Sequence, residues 1–258
     1  MRMNNDWRGI AAMVERVATR KGRLQNGRFS IEGYQLFQFA IEAGAQIEQA
    51  LVGATVDQQL LADLQAMGCE VAIAPAEVLA QLSNGRGLGE LFGLLRIPSP
   101  VPLTDFMAGR ERALFLVAID ILDPGNAGAM VRTALGLGGA AFIAVGGTDP
   151  FHPKAVRTAM GGVFALPILR YETYEALAAE LAVCGVQTVA TVPVGGVRLG
   201  EIEFGGKTAV LMGNEARGLP PAIYKAADIR TTIPMSPKLE SFSVNVAAGL
   251  ILYEAGKI

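Results

Sequence analysis

Residues 113–145 read ALFLVAIDILDPGNAGAMVRTALGLGGAAFIAV. Ala113 to Ile119 is a short run apolar on both faces, the pattern of a buried strand. Asp123-Pro124-Gly125 ends it, and from Asn126 the small and apolar residues recur at helical spacing until Gly136. Ala141 to Val145 is a second buried run. Strand, helix, strand in this order predicts a parallel pair with a crossover helix. Val186 to Val192, Thr208 to Met212 and Ile229 to Ile233 repeat the strand pattern with helical stretches between them. The expected fold is α/β, a parallel sheet covered on both sides, with its ligand crevice at the carboxyl ends of the strands. The last helix, from Ser241 to Glu254, is apolar nearly all round and is expected to be buried.

Upstream, IPSPVPLTDFMAG (residues 97–109) has the stiffness and missing donors of a proline-rich boundary. The expected domains are 1–105 and 106–258. Within the first, apolar runs Ala50 to Val52 and Val71 to Ala74 alternate with helical stretches Val56 to Met67 and Ala76 to Leu82, a smaller α/β unit. Of the 258 residues 51% are hydrophobic and 18% charged, so disorder is not the default reading. Cys69 and Cys184 stand far apart and His152 is the single histidine, which excludes a disulfide framework and histidine or thiolate metal clusters. No secretory leader pattern and no membrane-length apolar run is present, so a soluble cytoplasmic protein is expected.

The net charge of -2 argues against a uniformly basic nucleic-acid binder, but the charge is segregated. Residues 1–28 carry seven basic side chains against two acidic, a net +5, and residues 33–95 are net -6. Arg20, Lys21, Arg23 and Arg28 are therefore candidate phosphate contacts, weighed against an ordinary solvated helix face.

Two glycine-rich stretches imitate nucleotide motifs. GEIEFGGKT (residues 200–208) has the wrong spacing for a phosphate loop and leads into a strand. GLGGAA (residues 136–141) closes a helix instead of opening one, the reverse of a dinucleotide fingerprint, and reads as a helix C-terminal turn. Three other segments carry chemistry. In Asp123 to Gly138, Arg132 is a charge on an otherwise small and apolar helix, needing a partner or a path to solvent. In LMGNEARGLP, Leu211 to Pro220, a buried strand runs into Gly213, Asn214, Glu215, Ala216, Arg217 and Gly218, whose glycines allow close backbone approach to a ligand. In Ile233 to Glu254, a Ser-Pro turn precedes a helix with Ser241, Ser243 and Asn245 near its start.

N-x-G-x-x-x-R-T (Asn126 to Thr133), G-x-E-x-x-G-L (Gly213 to Leu219) and I-P-M followed by S-x-N-V (Ile233 to Met235, Ser243 to Val246) resemble the three motifs of the SpoU, or TrmH-type, RNA methyltransferases of the SPOUT superfamily. DPFHPKAVRTAMGGVFALPI from Asp149 is similar to the segment after that family's second strand, and RFSIEG (Arg28 to Gly33) to its N-terminal RNA-binding domain. The resemblance implies a C-terminal SPOUT domain with a deep trefoil knot and an S-adenosylmethionine pocket. It also implies a homodimer whose active site draws on both subunits, and methyl transfer to a ribose 2′-hydroxyl of structured ribosomal or transfer RNA. Asn126, Arg132, Glu215, Ser243 and Asn245 fall on the family's catalytic and RNA-contact positions. Its cofactor pocket is then expected to be lined by backbone around Leu211, Met212 and Gly213, then Ile233 and Met235, then Val244. Pro237, Ala247 and Ala159 depart from the family pattern.

Neither metal nor imidazole is implied for this chemistry. A guanidinium is a poor proton acceptor, so Arg132 is expected to orient the nucleophile and stabilise its oxygen, with Glu215 holding Asn126 or Arg132. Two other readings use the same residues: a catalytically silent knotted RNA-binding factor of ribosome assembly, and a SPOUT base methyltransferase.

Overall fold

The computed structural model of the chain describes residues 6–84 and 91–256. Arg2, Arg86 and Glu90, included in the charges above, lie outside the described residues. The chain forms two compact units, one reaching to Pro98 and adding Phe151–Phe164, the other made of Ser99–Pro150 and the chain from Ala165 onward.

In the first unit α1 (Trp7–Val17) opens where the Asp6 carboxylate accepts the Gly9 N–H, and it buries Ile10, Ala11, Val14 and Val17. α2 (Arg20–Asn26) opens where the Thr19 hydroxyl accepts the Gly22 N–H at 3.0 Å. The turn between them is tight enough that a Cβ on Gly22 would stand 1.8 Å from the Arg16 carbonyl oxygen. There follow β1 (Arg28–Glu32), α3 (Tyr34–Glu42), β2 (Ile47–Val52), α4 (Gln58–Ala66), β3 (Glu70–Ile73), α5 (Ala76–Ser83) and β4 (Leu91–Arg96). Among the described residues the sheet order is β1-β4-β2-β3. β4 runs antiparallel to β1 and β2, and β2 parallel to β3. Gly93 in β4 makes room for Phe37, whose Cζ would lie 2.8 Å from any Cβ there.

The second unit begins with α6 (Leu103–Met107), β5 (Ala113–Ile119), α7 (Pro124–Gly136) and β6 (Ala141–Val145). This compact unit begins at Ser99, and Leu103 and Met107 are buried in its core. α8 (Pro153–Thr158) and α9 (Gly162–Ala165) come next. Residues 151–164 belong to the first unit, where Phe29 packs against Phe151 and Phe164 with ring centroids 4.9 and 6.4 Å apart. The second unit continues with β7 (Ile168–Tyr171), α10 (Tyr174–Val183), β8 (Gln187–Thr191), β9 (Val197–Arg198), β10 (Lys207–Met212), α11 (Pro221–Ala226), β11 (Ile229–Thr232) and α12 (Val244–Ala255). Its strands lie in the order β7-β6-β5-β10-β8-β11-β9, every described pairing parallel. The core is drawn from both faces of these strands, Phe115, Val117, Ile143, Val189 and Leu211 among them.

Gly136 to Ala141 is a helix-ending turn: α7 stops at Gly136 and Gly138 takes φ +75°. Residues 200–208 run into β10, as a phosphate loop would not. Among the described residues no helix is long and apolar enough to cross a membrane.

α12 departs from the expectation of burial. Val246, Leu250 and Tyr253 are 45%, 39% and 58% exposed, spaced to share one side of the helix, while Ala248, Ile251, Leu252 and Ala255 are buried. Leu135 on α7, the helix that packs against α12, is also exposed.

Candidate active site

The carboxyl ends of β8, β10 and β11 open into a cleft of about 680 Å³, within the size range of small-molecule sites. Met212, Gly213, Ile233, Met235 and Val244 line it. Leu211 does not: it is fully buried inside the sheet, and its carbonyl accepts the Thr191 hydroxyl at 3.1 Å. Its apolar side chain builds the strand that carries the site and does not reach the cleft. The loop after β8, including Val192, Pro193 and Gly195, adds a wall that the sequence reading missed. TVPVGG carried only an ordinary turn signal, and its role depends on β8 lying between β10 and β11.

Gly213 to Gly218 forms a closed loop. The Gly218 N–H donates to the Asn214 carbonyl at 2.8 Å, and the Asn214 Oδ1 accepts the N–H groups of Ala216 and Arg217 at 3.0 and 3.1 Å. The Asn214 Nδ2 donates at 2.8 Å to the carbonyl of Asp120, at the end of β5. Asn214 is buried, so these bonds satisfy its amide. A Cβ on Gly213 would lie 2.3 Å from the Gly218 carbonyl carbon, and Gly218 itself takes φ +65°. Asp120, although not glycine, has φ +53°, a strained conformation beside the loop.

This loop presents Glu215 to the start of α7. The carboxylate accepts from the Asn126 Nδ2 at 3.0 Å and from the N–H groups of Asp123 and Leu122, each at 3.1 Å. Partial burial pushes its carboxyl up, but the Asn126 amide, the Leu122 N–H, its own N–H and the Asp123 N–H outweigh that and hold it below the ordinary value. Asn126 is fixed from its other end by donating its N–H to the Asp123 side chain at 3.0 Å.

A second junction lies where α7 meets α12. The Thr133 hydroxyl donates to the Asn245 Oδ1 at 2.8 Å, which directs the Asn245 amide NH₂ away from that contact. Ser243 is the N-cap of α12, its hydroxyl accepting the Val246 N–H at 3.5 Å. Arg132, beside Thr133, is exposed and makes no hydrogen bond or ion pair among the described residues. Of the two partners considered for Glu215, the structure joins it to Asn126. Asn126, Arg132, Ser243 and Asn245 do not line the cleft, whereas Glu215 and Arg217 do. Among the described residues there is no cluster of three metal-ligating side chains.

In the first unit the four basic candidates separate. Arg20 and Lys21 are exposed. Arg23 is 1% exposed, and its Nη1 donates to the carbonyls of Val17 at 2.9 Å and Ala18 at 3.1 Å, closing the end of α1. It is a structural group and not a phosphate contact, because those carbonyls have no further helical turn to bond. Arg28 donates its Nε to Glu48 at 2.7 Å, and Arg96 pairs with the same carboxylate. Although burial acts to raise Glu48, these two arginines hold it below the ordinary range.

This arrangement, an apolar cleft at the strand ends with a carboxylate-held loop at its mouth, agrees with the comparisons. Residues 113–253 match the model of the SpoU rRNA methylase family, and residues 13–87 match that of the MRM3-like substrate-binding domain. The chain belongs to the SpoU rRNA methylase family.

More particularly, it is 26% identical to the 23S rRNA (guanosine(2553)-2′-O)-methyltransferase RlmP of Bacillus subtilis, over 93% of this chain and 92% of that one. The S-adenosylmethionine-bound rRNA methyltransferase of Sinorhizobium meliloti is 30% identical, with a TM-score of 0.85 over 96% of this chain and 94% of that one. The SpoU methyltransferase AviRb of Streptomyces viridochromogenes, solved with the same cofactor, is 25% identical, with a TM-score of 0.87 over 98% and 97%.

Proposed function

We propose that this chain methylates a ribose 2′-hydroxyl of ribosomal RNA as a homodimer in the cytoplasm. It is an S-adenosylmethionine-dependent RNA ribose 2′-O-methyltransferase, and the observation carrying that reading is the Glu215–Asn126 junction at the mouth of the strand-end cleft. The cleft fits the cofactor. Its apolar wall of Met212, Leu219, Ile233 and Met235 suits an adenosyl group, and the Gly213 to Gly218 loop offers main-chain polar groups. When bound, S-adenosylmethionine supplies an electrophilic methyl group and a neutral thioether leaving group.

The protein's own part is positioning and electrostatics. Glu215 holds Asn126 at the head of α7, and Thr133 turns the Asn245 amide so that its N–H groups can donate to the RNA. Arg132 orients the 2′-hydroxyl and stabilises its oxygen as the proton leaves to phosphate or water. Ser243 adds a polar group at the start of α12.

Two observations support a site shared between subunits. Arg132 is exposed and does not line its own chain's cleft, and the apolar side of α12 at Val246, Leu250 and Tyr253 is uncovered in the single chain. The trefoil knot belongs to the same proposal, supported by β10 lying between β5 and β8 and by α12 returning to pack on α7 and β10.

Transfer of labelled methyl from S-adenosylmethionine to total RNA, followed by mapping of alkali-resistant sites, tests the reaction. Label recovered on a base, or no label at all, overturns it. Mixing Arg132→Ala with Glu215→Ala chains tests the shared site. Recovery of activity in mixed dimers is expected, and its absence under demonstrated subunit exchange overturns the sharing.

A further inference from the structure

Asp120 holds φ at +53°, in the left-handed region that disfavours any residue with a Cβ and persists only where the surroundings impose it. Those surroundings are the chain leaving β6. The Asp120 N–H donates to the Val145 carbonyl at 2.9 Å, and the Thr148 N–H donates to the Ile121 carbonyl at 2.8 Å, so the two strand ends are bonded on either side of the kink. Between these bonds Gly146 and Gly147 take φ +58° and +60°. A Cβ on Gly146 would lie 2.6 Å from Asp120 Oδ1, and one on Gly147 would lie 2.4 Å from the Ile121 carbonyl oxygen. Ile121 is buried, which anchors the kink from its other side. The Asp120 carboxylate is exposed and makes no hydrogen bond or ion pair among the described residues.

We propose that Asp120 is a positioning residue for methyl transfer, and that its left-handed backbone, not its carboxylate, joins the cofactor loop to the head of α7. The proposal rests on the methyltransferase reading and concerns a residue outside the three motifs. The Asp120 carbonyl accepts the Asn214 Nδ2 at 2.8 Å, which ties the Gly213 to Gly218 loop to the end of β5. Two and three residues further on, Leu122 and Asp123 donate their N–H groups to the Glu215 carboxylate, each at 3.1 Å. One turned residue thus aims an acceptor at the loop's buried amide and the donors that follow at its carboxylate. Extended backbone here would continue β5 by about 3.3 Å per residue and carry those donors past the loop. Glycine and asparagine tolerate the left-handed region and a β-branched residue does not, so substitution separates backbone from charge. The charged side chains on the loop, the β5 end and α7 are Arg217, Asp120, Asp123 and Arg132, and it is burial and hydrogen-bonding amides that set the Glu215 carboxyl. Loss of the Asp120 charge alone would lower the Glu215 titration, whereas loss of the two N–H donors would raise it.

The test compares full-length variants in methyl transfer to total RNA, in calorimetric titration with S-adenosylmethionine, and in a carbon NMR titration of the Glu215 carboxyl in the free chain. Asp120→Val should lower kcat about tenfold, weaken the cofactor severalfold and move the Glu215 titration up toward 4.5. Asp120→Gly and Asp120→Asn, which allow the left-handed conformation, should restore all three readouts. Should the valine variant fail to fold, Asp120→Ala provides the same test with a smaller loss. In a Glu215→Gln chain, Asp120→Val should cost less kcat than it does in the wild type, because the two changes act along one route, whereas a merely structural defect would cost the same in both. A loss in Asp120→Asn equal to that in Asp120→Val assigns the effect to the carboxylate and overturns the proposal, as does an Asp120→Val chain with unchanged kcat or an unchanged Glu215 titration. Wild-type transfer is measured beside these. Its absence removes the methyltransferase reading, and its presence with an Asp120→Val chain indistinguishable from wild type removes the positioning role alone.

Discussion

Arg23 and Arg132 stand on helices of opposite character, and each behaves contrary to its neighbourhood in the sequence. Arg23 lies in a polar, basic run and is 1% exposed, its guanidinium spent on the carbonyls that end α1. Arg132 lies in a small, apolar helix and is exposed, with no hydrogen bond or ion pair among the described residues. The difference follows from where unsatisfied groups arise. The α1–α2 turn leaves carbonyls that need a donor, and Arg23 is the side chain within reach. α7 buries Ala127, Met130, Val131 and Ala134 against the sheet and turns Arg132 to the other side. Charge density thus indicated neither which arginine builds the fold nor which is available for chemistry.

Mutation of both arginines breaks or sharpens that contrast. Arg132→Ala should lower kcat by about 10²–10³-fold with cofactor affinity and melting temperature unchanged, measured by methyl transfer and calorimetry. Arg23→Met should behave oppositely, costing about 1–3 kcal/mol in denaturant unfolding through the stranded Val17 and Ala18 carbonyls. An active-site defect in a fully stable Arg23→Met protein would break the comparison.

Gly213→Ala comes next, because its Cβ would collide with the Gly218–Leu219 peptide. It should lose cofactor binding by titration calorimetry before it loses the fold.

Glu215→Gln should cost about tenfold in kcat. The wild-type carboxyl is held below its ordinary value of 4.5. Its contribution is therefore fully present above about pH 5 and is lost as pH falls through the lowered folded value. The wild type should show an acid limb in cofactor affinity that Glu215→Gln lacks.

The smallest effect is expected for the double change of Arg20 and Lys21 to Ala. It should weaken RNA binding and reduce the salt-dependence slope by about 1–2, without touching the cofactor.

The parallel sheet was legible because its strands are apolar on both faces. β5 and β6 coincide with the predicted runs, and β8, β10 and β11 differ by a residue at either end. β1 and β4 were not legible. RFSIE mixes charge with apolar residues, and LFGLLR contains Gly93, which serves Phe37 through a contact absent from local sequence. In the site, Gly213 was readable from turn chemistry, and Glu215 and Asn126 from the resemblance of their segments to the SpoU motifs. The Thr133–Asn245 bond was not, since it joins residues 112 positions apart. The family resemblance places the backbone around Leu211 at the pocket; its side chain is buried in the sheet, since successive side chains of a strand point to opposite faces.

By itself the sequence determined the strand–helix alternation, the glycines that the Gly213 to Gly218 loop requires and the family whose motifs these residues make, because each is written in near-neighbour pattern and steric need. Only the tertiary structure decided which charges are spent on the fold, which side of α12 stays uncovered, and that the Asp120 carbonyl meets the Asn214 amide. Those depend on which surfaces meet across long stretches of chain, and residue-to-residue spacing carries no record of that.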